Sequence, residues 1–149
     1  AYKNYLDGMK NSPDISDLFL YGRLNYYAAT DSACQDKQPV YLAEADTVFA
    51  QVAAKVPDNY LGNFWRARVN SLRDPETAQG LAKPYYEAAL GILEQKPDAT
   101  KSVLVECNSY LGYYYFVKED YDQSKLYWSK ILEIDPENEI ATKALQGIK

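Results

Sequence analysis

The side chains that could carry catalysis in this chain are carboxylates and two cysteines, because its 149 residues include no histidine. Histidine is the commonest general base and the commonest metal ligand, so its absence removes both roles. The acidic residues cluster at turns and helix ends, where carboxylates favour solvent and helix N-termini. These clusters are Glu44/Asp46, Glu119/Asp120/Asp122 and Glu133/Asp135/Glu137. We therefore expect them to be solvated surface rather than pairs of general acids and bases.

Residue spacing indicates neither a metal site nor a phosphate site. The pattern of an EF-hand is absent, and the seven glycines are scattered singly instead of forming a phosphate-binding loop. Cys34 and Cys107 belong to no CxxC motif or Cys/His pair, so we expect two free structural thiols. Cys34 is expected in a loop and Cys107 near the start of a helix. The sequence thus predicts no catalytic residue, no cofactor, no metal and no enzymatic activity.

The charge balance narrows the class of partner. A net charge of −5 and a pI of about 4.8 argue against nucleic acid or an anionic membrane surface. No apolar run approaches the ~20 residues of a membrane span, so we expect no direct membrane insertion. The chain starts within a helical pattern and without Met, and we expect it to be a piece of a longer protein.

Four proline–acid pairs divide the chain at near-regular intervals. They begin at Pro13, Pro57, Pro97 and Pro136, and the intervals are 44, 40 and 39 residues. Each pair follows a stretch that reads as an amphipathic helix. Because proline cannot continue a helix, each pair predicts a turn between helices. Turns at a near-constant period indicate an internal repeat built from helices.

The unit at residues 105–138 shows the repeat most clearly. Leu111-Gly112 begins a first-helix motif that continues through Tyr115, and the second helix carries Ser124 and, four residues later, Trp128. Asp135-Pro136 ends the unit. This pattern resembles a tetratricopeptide repeat, in which small residues let the paired helices approach closely. The departures are Asn108, Glu119 and Ile131, where the family usually has Trp or Leu, Gly and Ala.

The resemblance covers nearly the whole chain. Gly22, Ala67 and Gly112 occupy the same first-helix position, 45 residues apart. We expect one all-α domain, an α-solenoid of about three elongated helical hairpins with a leading helix and a C-terminal capping helix. Pro84 predicts a kink or a helix start. The expected divisions are the end of a preceding repeat at 1–13, repeats at 15–59, 60–104 and 105–138, and a capping helix at 139–149.

In this family the first helix of each repeat lines a concave surface that binds partners. The resemblance therefore implies partner-binding residues at Phe19, Arg23, Tyr26, Phe64, Arg68, Ser109, Tyr113 and Phe116. Arg23 and Arg68 occupy equivalent positions, and arginine beside aromatic residues is typical of binding hot spots. Such a groove would suit an extended peptide that carries carboxylates. The alternative is that both arginines pair with local acids and the aromatic rings pack between helices.

The run Tyr113-Tyr114-Tyr115 suggests a second idea, a platform on which a sugar ring stacks. Three consecutive helical residues point in different directions and cannot form one flat surface, which disfavours carbohydrate without excluding it. Residues 82–138 also contain phrases that resemble the C-terminal part of tetratricopeptide proteins from Bacteroides-type Gram-negative bacteria. Members of that group commonly carry an export signal, so the resemblance favours the periplasm or cell envelope over the cytoplasm.

The functional prediction is a non-catalytic scaffold that binds a partner protein or peptide through the concave face. The alternative is an accessory protein that captures a glycan or peptide for an uptake system of the cell envelope. A third possibility is that this segment only stacks against further repeats. The sequence names no partner.

Overall fold

The computed structural model of the protein describes Asn4 and residues 14–149. Every regular element within residues 14–149 is helical. In chain order these elements are α1 (Ile15–Thr30), a 3₁₀ helix (Ser32–Lys37), α2 (Gln38–Lys55), α3 (Leu61–Arg73), α4 (Lys83–Leu93), α5 (Lys101–Val117), α6 (Tyr121–Ile134) and α7 (Glu139–Gly147).

Helix starts follow from local chemistry that the sequence carries. Pro39 and Pro84 lie in the first turns of α2 and α4, where the missing N–H costs no helical hydrogen bond. The carboxylate of Asp120 accepts a hydrogen bond from the backbone N–H of Gln123 at the start of α6. Asn138 caps α7 in the same way. The prediction of a helix start near Pro84 is therefore confirmed.

Glycine and an aromatic ring make the tightest contacts between paired helices. A Cβ added at Gly22 of α1 would lie 2.7 Å from the Phe49 ring of α2, and one added at Gly112 of α5 would lie 2.7 Å from the Trp128 ring of α6. The buried Ser124 hydroxyl donates a 2.7 Å hydrogen bond to the Gly112 carbonyl oxygen. Only a residue without a side chain fits between these helices, so the predicted close approach at Gly112 is confirmed.

Helices α1, α3 and α5 are the first helices of three successive helix pairs, and they lie side by side. Phe19 of α1 meets Trp65 of α3 at 6.0 Å between ring centroids, and Arg68 of α3 reaches Glu106 of α5. At the far end, α7 buries Ala141 against the cluster that contains Trp128. The expectation of an all-α solenoid is confirmed, and α7 covers its C-terminal end.

Two features differ from the sequence prediction. Cys34 lies in the 3₁₀ helix rather than in a loop. Helix α5 begins at Lys101, before the expected repeat boundary at 104/105. The repeat divisions stay predictions, and the division at 1–13 lies outside the described residues apart from Asn4.

The link between α3 and α4 is organised by one buried carboxylate. Asp74 accepts hydrogen bonds from the backbone N–H groups of Gln79, Gly80 and Leu81, at 3.1, 2.7 and 3.3 Å. Burial alone would raise the pKa of Asp74, but these backbone donors together lower it. Gly80 has a positive φ of 71° and packs against the Tyr114 ring. The link is thus a fixed turn that holds α4 against α5.

Replacing Gly112 by Leu is expected to lower the free energy of unfolding by about 1–3 kcal/mol or more, because the new side chain overlaps Trp128. Gly91 provides a matched control, since it is also helical but nothing lies within 4 Å of an added Cβ. Gly91→Leu should be neutral or stabilising, because leucine favours helix more than glycine. Urea denaturation of both variants measures the difference, and equal midpoints would contradict the close-contact explanation.

Asp74→Asn is expected to destabilise the fold at pH 7 by about 1–3 kcal/mol, since a buried acceptor loses its charge. A carboxylate with a lowered folded pKa stabilises the protein above its unfolded pKa of about 3.9. That contribution is lost as pH falls through the folded pKa. The difference in free energy of unfolding between wild type and Asp74→Asn should therefore shrink below about pH 3. Urea denaturation of both proteins at pH 7 and below about pH 3 tests this prediction. The same difference in free energy of unfolding at the two pH values would contradict it.

Candidate partner-binding surface

Trp65 is the centre of the aromatic packing on the face formed by α1 and α3. Phe19, Tyr26 and Tyr27 approach it edge to face, at centroid distances of 6.0, 5.2 and 6.1 Å. Phe49 of α2 stacks on it from within the core at 5.6 Å. Trp65 itself is buried, so the partly exposed rings of α1 present the surface that Trp65 supports. We call Phe19, Arg23, Tyr26, Tyr27, Trp65 and Arg68 the Trp65 cluster.

Arg68 is held in place by an acid on the next first helix. Its Nε and Nη2 atoms donate to the two carboxylate oxygens of Glu106 at 3.0 and 2.7 Å, and the Tyr86 hydroxyl donates to Glu106 at 3.1 Å. The hydrogen bond from Arg68 to Glu106 is the main reason that the pKa of Arg68 is raised. The guanidinium carbon lies 4.7 Å from the Trp65 ring centroid. For Arg68, pairing with a local acid is therefore the arrangement in the structure.

Arg23 occupies the equivalent position on α1 but has a different environment. Its guanidinium carbon lies 5.5 Å from the centroid of Trp65 and 5.8 Å from those of Phe19 and Tyr27. Within the described part of the chain, its Nε atom is buried and has no hydrogen-bond partner. The two arginines thus flank one tryptophan, and among the residues that the structure describes Arg68 has a carboxylate partner and Arg23 has none.

A second exposed aromatic group lies near the C-terminal end. Tyr113 and Phe116 of α5 are 45 % and 43 % exposed and line a cavity of about 220 Å³. Trp128, Lys143 and Ile148 complete its walls, together with Ala144 and Gly147. Because the lining is mainly apolar, this cavity suits an apolar side chain. We call it the Tyr113 cavity.

Six of the eight predicted site residues fall into two groups. Phe19, Arg23, Tyr26 and Arg68 meet around Trp65, whereas Tyr113 and Phe116 line the Tyr113 cavity and Ser109 is half-buried elsewhere on α5. Phe64 is only 4 % exposed, because it packs edge to face on Tyr60 and Tyr86. Its side chain supports the surface from beneath and cannot form a groove contact.

Sequence reasoning missed Trp65, the residue that joins the first group. The repeat register placed it next to the counted groove positions, at the position equivalent to Leu20. A tryptophan one turn before Arg68 was a usable signal, because arginine and tryptophan at this spacing share a helix face.

The cysteines and carboxylates offer little chemistry. Burial is the main cause that raises the pKa of the Cys107 thiol to about 12, so this thiol stays protonated at neutral pH. Among the described residues, no group of three or more Cys, Asp or Glu side chains is placed to hold a metal ion. None of the helices in residues 14–149 combines the length and apolar character needed to span a bilayer.

Stacked helical hairpins with glycine–aromatic contacts and adjoining first helices define an α-solenoid of the tetratricopeptide type. A solved structure with this fold is the C-terminal part of a TPR repeat-containing protein from the Bacteroidetes bacterium Cytophaga hutchinsonii. The two chains share 32 % sequence identity and superpose with a TM-score of 0.82. The resemblance to bacterial tetratricopeptide proteins is thereby confirmed.

The match covers 97 % of this chain and 52 % of the Cytophaga chain, so this chain spans about half of that relative. No protein-family model matches the sequence. Comparison with curated proteins also finds no match.

Arg68 and Glu106 should show energetic coupling in a double-mutant cycle of Arg68→Gln and Glu106→Gln. We expect roughly 0.5–3 kcal/mol, at the low end of that range because both side chains are about one-third exposed. The Lys143–Glu139 pair is a matched control, since both of its side chains are mostly exposed. Its cycle should give no more than about 0.5 kcal/mol. Equal coupling in the two cycles would show that Glu106 does not fix Arg68.

Proposed function

We propose that this chain is a non-catalytic scaffold that binds a partner protein or peptide through its first-helix face. The observation that supports it most is the Trp65 cluster, which combines arginines and partly exposed aromatic rings on adjoining helices. Arginine, tyrosine and tryptophan are the residues most enriched in binding hot spots. Tetratricopeptide folds typically carry binding rather than catalysis, which supports the same proposal.

The Tyr113 cavity extends the proposed surface toward the C-terminal end. Tyr113 and Phe116 lie on α5, the third of the first helices, and both are exposed. In this proposal a partner chain contacts the Trp65 cluster and places an apolar side chain in the cavity. We further propose the repeat divisions at 15–59, 60–104 and 105–138 as the units that this partner spans.

Glycan capture has weaker support from the aromatic geometry. A sugar ring stacks on a flat, exposed aromatic surface, whereas the three rings of α1 meet Trp65 at interplanar angles of 79–88°. Tyr115 and Tyr127 are parallel within 6°, but they stack face to face on each other and are half-buried. A role in a cell-envelope uptake system therefore remains the alternative function, with peptide rather than glycan as the better-supported cargo.

Photo-crosslinking from defined positions tests the proposal. A photoreactive phenylalanine analogue replaces Tyr27, Tyr113 or Phe116 on the first helices, and Val40 or Leu126 on the second helices as controls. All five side chains are exposed, so accessibility does not explain a difference. In cells that naturally produce the protein, partner adducts are expected from the first-helix positions at several times the control yield. Equal yields would contradict the proposed face, and no adduct from any position would contradict the scaffold function.

A further inference from the structure

Arg23 stands apart from the other arginines of the chain. Arg66 and Arg73 both lie within 4.0 Å of Asp46, and Arg68 pairs with Glu106. Arg23 has no carboxylate at ion-pair distance among the described residues. Its Nε is also buried and has no hydrogen-bond acceptor within residues 14–149. In the part of the chain that the structure describes, carboxylates therefore compensate three arginines, and Arg23 contacts aromatic rings without a carboxylate.

The aromatic rings compensate this cation only in part. The ring centroids lie 5.5–5.8 Å from the guanidinium carbon of Arg23, near the outer limit of about 6 Å for a cation–π contact. A ring face also offers no lone pair to an N–H donor that points away from it. The strongest complement for a guanidinium is a carboxylate, which accepts two parallel hydrogen bonds. Arg23 is half-buried, so part of its side chain reaches solvent.

Exposed apolar side chains flank Arg23 along one face of α1. Leu20, Leu24 and Tyr27 are 45 %, 47 % and 50 % exposed. With Arg23 they occupy positions i, i+3, i+4 and i+7, which share one helix face. We call these four residues the α1 ridge. Large apolar side chains exposed in a row are typical of surfaces that a partner covers.

We propose that the α1 ridge binds a partner segment that presents a carboxylate side chain flanked by apolar residues. The carboxylate pairs with Arg23, and the apolar residues cover Leu20, Leu24 and Tyr27. This inference rests on the proposed scaffold function and names the chemistry of the partner. Because the chain has a net charge of −5, its overall charge does not attract an acidic segment. Selectivity for the acid must then come from direct contact with Arg23.

A displayed library of random 16-residue peptides, selected on the immobilised chain at physiological salt, supplies the probe. We expect enriched peptides to share an Asp or Glu flanked by apolar residues. One such peptide and its Glu→Gln or Asp→Asn counterpart are then synthesised and titrated calorimetrically. The amide counterpart should bind wild-type protein at least about tenfold more weakly, as expected for a lost charged hydrogen bond.

Substitutions in the protein give the second part of the test. Arg23→Gln should weaken binding of the acidic peptide about tenfold and abolish its advantage over the amide peptide. Arg73→Gln is the matched control, because Arg73 already has Asp46 nearby, and it should leave affinity unchanged within about twofold. The comparison of acid and amide peptides uses wild-type protein, so it stands even if Arg23→Gln impairs folding.

The other outcomes separate the two proposals. Enriched peptides without acids, or equal binding by Arg23→Gln, would overturn this inference while leaving the scaffold function in place. The absence of any enriched peptide would contradict this inference alone, because a scaffold can also bind a folded partner protein. Analytical ultracentrifugation of the chain alone provides the last check. A dimer that Arg23→Gln dissociates would show that a second copy, not an acidic partner segment, covers the α1 ridge.

Discussion

The structure depends on contact between a residue without a side chain on one helix and an aromatic ring on the next. Gly22 against Phe49 and Gly112 against Trp128 set how closely the helices of a pair approach. At Gly112 the Ser124 hydroxyl also bonds the carbonyl oxygen, so backbone and side chain fix the same crossing point. Helices brought this close bury their other apolar residues together, and the interaxial distance then determines where the first helices meet.

The surface around Trp65 is a consequence of that spacing. One edge of the Phe49 ring contacts Gly22, and the face of the same ring stacks on Trp65. Phe49 therefore connects the α1–α2 pair with the Trp65 cluster. The Trp65 ring in turn contacts the guanidinium groups of both Arg23 and Arg68. A site built on buried rings is held in place before any partner arrives, which reduces the entropy lost on binding. Binding and stability therefore share residues here, and changes to Phe49 or Trp65 would alter both.

Sequence alone predicted the architecture because its signals are local or periodic. The 45-residue spacing of Gly22, Ala67 and Gly112 indicates a helical repeat, and the position of Pro84 indicates a kink or a helix start. The details that it missed depend on pairs far apart in the chain. Arg68 meets Glu106 across 38 residues, and no periodic pattern states which of two equivalent arginines finds an acid. The same limit explains Phe64, which was predicted to face the groove but is buried against Tyr60 and Tyr86.

The apolar core is not continuous along the chain. Trp128, Ile131, Ala141 and Ile148 form a cluster separate from the larger one that runs from α1 to α5. In a solenoid each layer is stabilised mainly by its neighbours, so a terminal layer with its own small core can open without the rest. Amide hydrogens of α6 and α7 would then exchange faster than those of α3. A ligand in the Tyr113 cavity would contact α5, α6 and α7 and hold this terminal layer together. Binding there would therefore slow hydrogen exchange at the amides of α6 and α7.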